Sequence, residues 1–328
     1  MQTILVTGGA GFIGSNFLDY FLKKYKDYSI VNLDLITYAG DLENLIGLEN
    51  NKIYTFVQGD ISDRTLVEEL FEKYSISNVI HFAAESHVDN SISGPGVFVK
   101  TNVFGTFVLL DVANKYWGNN KENRFHHIST DEVYGSLGEE GLFTENTSYA
   151  PNSPYSASKA SSDMMVRSYF HTYGLNIVIT NCSNNYGPKQ HDEKLIPTIV
   201  RNAIKGLDIP IYGNGSNIRD WLFVSDHCSA IDLVFHNGKK GEVYNIGADQ
   251  ELSNNEIADL ICRILDEKVP KECSYKKQLT FVEDRKGHDF RYAIDSTKIK
   301  NQLSWRKQQS FKEGLHKTID FYLKKYQK

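Results

Sequence analysis

Proline is scarce in this 328-residue sequence, with 7 residues, and cysteine scarcer still, with 4. The cysteines, Cys182, Cys228, Cys262 and Cys273, form no C-x-x-C pair and stand beside no histidine cluster. Their spacing argues against a disulfide framework and against zinc, and free thiols in a reducing compartment are expected, with no metal. A charge excess is lacking too: 41 acidic residues face 36 basic ones, for a net charge of −5. Nucleic acid and an anionic membrane surface are therefore not expected partners, and any phosphate binding must be local. No basic segment followed by an apolar one opens the chain, and no apolar run is read as approaching the ~20 residues that span a bilayer. The expectation is a cytoplasmic protein with no membrane contact. Repeats, low-complexity linkers and long charge runs are absent as well.

What is present is ordinary for a globular chain, 41% apolar and 23% charged, and long enough for a large core. Residues 1–183 alternate short β-branched runs with helical patterns. Strands are expected at Thr3–Gly8, Ser29–Asp34, Tyr54–Asp60, Asn78–Ala84, Phe125–Thr130 and Asn176–Asn181. Helices are expected near Ile13–Tyr25, Arg64–Tyr74, Val97–Tyr116 and Pro154–Tyr173. Such alternation means βαβ units and a parallel sheet covered on both faces. Residues 184–328 are richer in Gly, Pro and Asn. They read as a smaller, loop-rich α/β domain on the C-terminal edge of the sheet. A strand at Gly241–Gly247 returns toward the sheet, and helices are expected at Asn254–Leu265 and Phe311–Lys325.

Gly8-Gly9-Ala10-Gly11-Phe12-Ile13-Gly14 follows the first strand and opens the first helix. Glycines at 8, 11 and 14 allow a sharp turn and let a pyrophosphate approach backbone N–H groups at a helix N-terminus. Asp34, at the end of the second strand, is placed to accept from an adenosine ribose diol and to repel a 2′-phosphate, which favours NAD over NADP. Asp60-Ile61, after the third strand, is placed to meet the adenine.

Tyr155 and Lys159 stand four apart at a helix start, hence on one face. A phenol titrates near pH ~10, and a neighbouring ammonium is expected to lower that value toward usefulness as a base. Thr130-Asp131-Glu132 ends the fifth strand, where ligands sit in open α/β sheets. Adjacent carboxyls tend to split their pKa values, one protonated and one ionised, so Asp131 and Glu132 are a candidate acid–base pair. His126 and His127 lie within the strand and read as packing or hydrogen-bonding residues.

Together these residues resemble the extended short-chain dehydrogenase/reductase family across essentially the whole chain. Within it they are similar to the nucleotide-sugar 4,6-dehydratases. The matching segments are Thr7–Gly14, Ala83–Asp89, Ser129–Gly135, Pro154–Lys159, Cys182–Pro188, Glu193–Pro197, Arg219–Trp221 and Asp284–Asp295. The Thr-Asp-Glu loop is the most specific, since nucleotide-sugar epimerases of the family lack the acidic pair. The resemblance implies a Rossmann-type doubly wound sheet with a substrate-capping domain, and NAD bound by Gly8, Gly11, Phe12, Ile13, Gly14, Asp34, Asp60, Ile61, Ala83, Tyr155 and Lys159. It implies dehydration of a nucleotide-activated hexose, first of all a dTDP-hexose, with UDP- and GDP-sugars as alternatives and an epimerase or decarboxylase behind them. Tyr155 would take the 4-hydroxyl proton beside Lys159 and Thr130; Glu132 would take the C5 proton and Asp131 would protonate the leaving 6-hydroxyl. Glu85 and Asn184 would meet the sugar, Ser86 would bind the substrate too, and Lys194 and Leu195 would meet the nucleotide. Pro210 and Tyr212 would flank the base, and Arg219, Arg285 and His288 would meet the diphosphate, with Asn254 nearby. A homodimer through Val97–Tyr116 and Pro154–Tyr173, and a product destined for deoxysugars of cell-surface polysaccharide, are implied likewise. A regulator that binds NAD without chemistry is the rival outside enzymes; it should have lost Tyr155 or Lys159. The sequence departs from the family pattern at Asn90, Asn181, Lys286, Lys189 and Asp192. The last two stand where an aromatic residue and a proline are common, in the stretch expected to cover the substrate.

Overall fold

The computed structural model describes residues 1–118, 120, 122–284 and 287–327. Seven parallel strands form the main sheet: β1 (Gln2–Thr7), β2 (Tyr28–Asp34), β3 (Tyr54–Gln58), β4 (Ile76–His81), β5 (Arg124–Thr130), β6 (Ile177–Cys182) and β10 (Val243–Ile246). Their order is β10-β6-β5-β4-β1-β2-β3. It reverses direction between β1 and β4, which opens a crevice at the carboxyl ends of those strands.

Helices cover both faces, as a parallel sheet requires. On one face α1 (Phe12–Lys24) packs beside α8 (Val224–Asn237) over Ile4, Val6, Ile30 and Ile80. On the other, α2 (Arg64–Tyr74), α5 (Thr106–Trp117) and α6 (Pro154–Tyr173) bury Leu5, Val79, Phe125 and Ile177. This is the Rossmann-type doubly wound architecture. α6 starts on a capping box between Ser153 and Ser156 with Pro154 in its first turn, and stops at Gly174 in the left-handed conformation. Those signals explain why its bounds are readable from sequence.

Two expectations need correction. The stretch Pro95–Trp117 is helical throughout, as α4 (Pro95–Phe98), a π-helical turn (Val99–Gly105) and α5, and is long and apolar enough to cross a membrane. Lys100 and Asp111 interrupt its apolar sequence, which is why no continuous run is seen. Half of its apolar window is buried, with Val108, Leu109 and Val112 in the main core. The second correction concerns residues 184–328, which hold more regular structure than a loop-rich reading allows. β7 (Asn184–Tyr186), β9 (Ile218–Phe223) and β11 (Glu251–Ser253) form one small sheet, and β8 (Ile209–Tyr212) pairs with β12 (Leu279–Val282). Around them α7 (Leu195–Lys205), α9 (Asn254–Lys268) and α11 (Phe311–Tyr326) enclose a second core of Ile199, Trp221, Ile261, Ile319 and Tyr322. α3 (Val88–Ser93) and α10 (Thr297–Leu303) complete the helices named here.

Candidate active site

One cleft runs along the carboxyl ends of β1, β2, β4, β5 and β6. At its nucleotide end Gly8 has φ +74°, and a Cβ there would lie 2.5 Å from the Ala83 nitrogen. A Cβ at Gly14 would run into the Gly8 carbonyl. The turn therefore folds on itself and packs against the segment after β4 only because Gly8 and Gly14 lack side chains. Gly11 caps α1 without a side-chain hydrogen bond, and the first turn carries no acidic residue. Its leading N–H groups have no helical acceptor and suit an anion. Asp34 is buried; its Oδ2 accepts from Ala10 N at 2.8 Å and its Oδ1 from Ile36 N at 2.8 Å. Burial raises its pKa, and the two N–H groups oppose that rise. Asp60 accepts from Ser62 N at 2.8 Å and from Lys100 Nζ at 3.1 Å. Burial pushes its pKa up, but these partners more than offset it and hold the carboxyl below its usual range. Ile61 and Ala83 line the same end. An apolar wall, an anion-accepting helix start and a fixed carboxylate together fit an adenine dinucleotide.

At the chemical end Thr130 closes β5. Its Oγ1 accepts from Glu132 N at 3.3 Å and donates to Asp131 Oδ1 at 3.3 Å. Asp131 is 2% exposed, and its Oδ2 has no hydrogen-bond partner among the described residues. Burial first, then the Glu132 and Asp220 charges, raises its pKa well above the carboxylate range. The shift favours the protonated carboxyl that an acid requires. Tyr155 lies edge-on to Phe98, with ring centroids 6.4 Å apart. Lys159 donates to the Ile128 carbonyl at 2.8 Å. Burial lowers the Lys159 pKa, and Asp163 on the next turn of α6 opposes this. The expectation that Lys159 lowers the Tyr155 pKa needs correction for the protein without ligands. Burial, then the Glu132 charge, holds the phenol well above its usual range, and the Thr130 hydrogen bond works against them.

Of the substrate-side residues, Glu85, Ser86, Asn184 and Lys194 line the cleft. Lys194 Nζ donates to the Ser86 carbonyl at 3.3 Å. Leu195, Pro210, Tyr212, Arg219, Asn254 and His288 are not part of its lining, and Arg285 lies outside the described residues. Tyr212 donates to Asp89 at 3.5 Å, and His288 Nδ1 lies 2.6 Å from Asp284. Arg219 is buried, donates to the Ile218 and Asp289 carbonyls at 2.7 and 3.0 Å, and stacks 4.3 Å from the Tyr292 ring centroid. Its charge also lowers the Asp131 pKa, so Arg219 lies within electrostatic reach of that carboxyl. His126 and His127 are fully buried, and burial holds both well below the usual histidine pKa, in keeping with structural residues.

Sequence reasoning missed two supports of the site. Asn102, in the π-helical turn, accepts from Glu85 N at 2.8 Å and donates to Ser158 at 2.8 Å. Nothing in its sequence context marks it. Asp163 accepts from Ser129 at 2.8 Å and Tyr149 at 3.0 Å beneath Lys159. Its place four residues after Lys159 was a usable signal.

The family model described as GDP-mannose 4,6 dehydratase matches residues 5–318. The dTDP-glucose 4,6-dehydratase of Salmonella typhimurium is 52% identical, over 98% of this chain and 92% of its own. That of Escherichia coli K12 is 51% identical over the same shares. The chain belongs to the dTDP-glucose 4,6-dehydratase family. A crystal structure of the Bacillus anthracis member in complex with NAD superposes with a TM-score of 0.89 at 47% identity, covering 99% of this chain and 97% of that one. Fold alone does not separate family members from epimerases: the Thermotoga maritima UDP-glucose 4-epimerase reaches 0.88, covering 99% of both chains, at only 30% identity. The higher identity to the dehydratases does.

Proposed function

We propose that the cleft dehydrates dTDP-glucose to dTDP-4-keto-6-deoxyglucose and water, with NAD as cofactor. The observation that carries this reading is the buried Asp131 carboxyl, raised in pKa beside Glu132 at the end of β5. NAD, when bound, takes a hydride from C4 and returns it at C6. Tyr155 accepts the 4-hydroxyl proton, with Thr130 hydrogen-bonded to its phenol and Lys159 supplying positive charge. The 4-keto group then acidifies the C5 proton, which Glu132 removes. Asp131 gives its proton to the 6-hydroxyl, which leaves as water, and as the hydride returns to C6 Glu132 gives its proton back to C5. Glu85, Ser86 and Asn184 hold the sugar and Lys194 the nucleotide. Leu195, Pro210, Tyr212, Arg219, Asn254, Arg285 and His288 serve the nucleotide and diphosphate.

Residues 1–183 with the returning β10 form the cofactor domain, and residues 184–328 mainly the nucleotide-sugar domain. Val97, Val99, Phe104 and Met164, exposed on the helices around α5 and α6, form the face of a homodimer. The enzyme works in the cytoplasm, in keeping with its free thiols.

The deciding experiment incubates the purified protein with dTDP-glucose, UDP-glucose and GDP-mannose, without added NAD, and identifies products by mass spectrometry. Loss of one water from the dTDP-sugar is expected; a mass-neutral 4-epimer would overturn the reading.

Asp34→Ala tests the cofactor end. An ionised carboxylate has about four acceptor sites, so Asp34 can take ribose hydroxyls in addition to its two backbone donors. Each hydrogen bond to a charged group is worth about 1.5–3 kcal/mol. The variant is expected to bind NAD about 10²-fold more weakly and to lose preference over NADP, as measured by calorimetry. Equal affinity of the unmodified protein for both cofactors would contradict the role of Asp34.

A further inference from the structure

Residues 187–194 form a loop beside the cleft, and two of the departures from the family pattern, Lys189 and Asp192, tie it down. Lys189 has φ +71°, in a region that side-chain-bearing residues seldom adopt. Its Nζ donates to Asp19 Oδ2 of α1 at 2.8 Å and to the Asn44 carbonyl at 2.7 Å. Asn44 in turn donates through its side chain to the Ala10 carbonyl, inside the glycine-rich turn, at 3.0 Å. Asn16 of α1 donates to the Pro188 carbonyl at 3.0 Å. At the other end Asp192 Oδ1 accepts from Lys325 at 2.9 Å and Tyr326 at 2.6 Å of α11. Between these anchors Gln190 and His191 line the cleft, as do Glu193 just past them and the glycine-rich turn.

We propose that Lys189 is a positioning residue that latches this loop to the dinucleotide-binding turn, so that NAD leaves only after the Lys189–Asp19 pair and the Lys189–Asn44 bond have broken. The inference rests on NAD being the cofactor of the cleft. Two features favour a latch over an incidental surface pair. The Lys189 side chain is only 17% exposed and that of Asp19 34%, so solvent screens the pair less than one on the open surface. The same ammonium also holds a backbone carbonyl that is one hydrogen-bonded step from the glycine-rich turn. The arrangement suits an enzyme that uses its cofactor twice in each turnover and gains nothing from releasing it between the two hydride transfers.

The test loads the holoenzyme with NADH, dilutes it into excess NAD and follows the decay of bound NADH fluorescence. Lys189→Ala and Asp19→Asn are expected to release NADH about tenfold faster than the unmodified protein. Their double variant should be no faster than either alone. Lys189→Arg, which keeps charge and donors, should restore slow release. The effect should fall more on retention and the KM for NAD than on kcat at saturating NAD. Hydrogen exchange of the amides of residues 189–194 in cofactor-free protein should rise in Lys189→Ala and not in Lys189→Arg. Release at the unmodified rate in Lys189→Ala, or equal acceleration by the Ala and Arg variants, would overturn the latch. A protein that takes up no NADH would instead overturn the cofactor reading, and the exchange measurement then still reads the loop by itself.

Discussion

Replacing Tyr155 with phenylalanine is expected to slow oxidation at C4 by about 10²–10⁴-fold, the usual worth of a positioned base. The substitution keeps the ring against Phe98 and removes only the hydroxyl, so the fold should be unaffected. Burial and the Glu132 charge keep the phenol protonated in the ligand-free protein, and two positive charges must therefore work against them in the complex. One is Lys159, held at the Ile128 carbonyl; the other is the oxidised nicotinamide. Because a phenol becomes a base only as it loses its proton, the oxidation rate should rise with pH. Lys159→Ala should move that rise to higher pH, since removing a cation raises the phenol pKa further. Tyr155→Phe should abolish it. Single-turnover appearance of the reduced cofactor's near-ultraviolet absorbance measures all three. An unchanged rate in Tyr155→Phe would make Tyr155 a packing residue at a helix start.

The nucleotide end was legible in sequence because its signals are local. The glycine turn, Asp34 and the start of α1 lie within one βαβ segment, and backbone geometry allows few residue types at Gly8 and Gly14. α6 was legible at both ends for the same reason, having a capping box, a first-turn proline and a C-terminal glycine. The chain after residue 183 offers weaker signals. α8 follows β9 directly, with Phe223 as its N-cap and no side-chain cap. β7, β8, β11 and β12 are three or four residues long, too short for period-two alternation to register. The supports of the site were illegible where they depend on distant partners. Lys189 finds Asp19 across 170 residues and Asp192 finds Lys325 across 133, and no pattern in either stretch announces the meeting. The Tyr155 pKa was misread because spacing on a helix reveals the neighbouring ammonium and not the burial that outweighs it.

Elimination should separate from oxidation at the acidic pair. Glu132→Gln and Asp131→Asn keep shape and remove one ionisable group each. Both are expected to leave hydride transfer from C4 largely intact while water loss falls by about 10²–10⁴-fold. Reduced cofactor should then accumulate in a single turnover, whereas Tyr155→Phe prevents it from forming. The two variants should also differ from each other. Glu132 alone faces the C5 proton in the proposed chemistry, so Glu132→Gln should suppress exchange of that proton with deuterated solvent more than Asp131→Asn does. In the proposed chemistry Asp131 is the acid, and burial and its neighbours' charges raise its pKa. Elimination should therefore fall as pH rises through its raised pKa, a limb that Asp131→Asn removes. The two limbs run in opposite directions, oxidation gaining with pH through Tyr155 and elimination losing through Asp131, so the overall rate should peak where neither group limits. If both variants eliminate water at the unmodified rate, the pair is only a buried turn at the end of β5, and the chemistry must be sought elsewhere in the cleft.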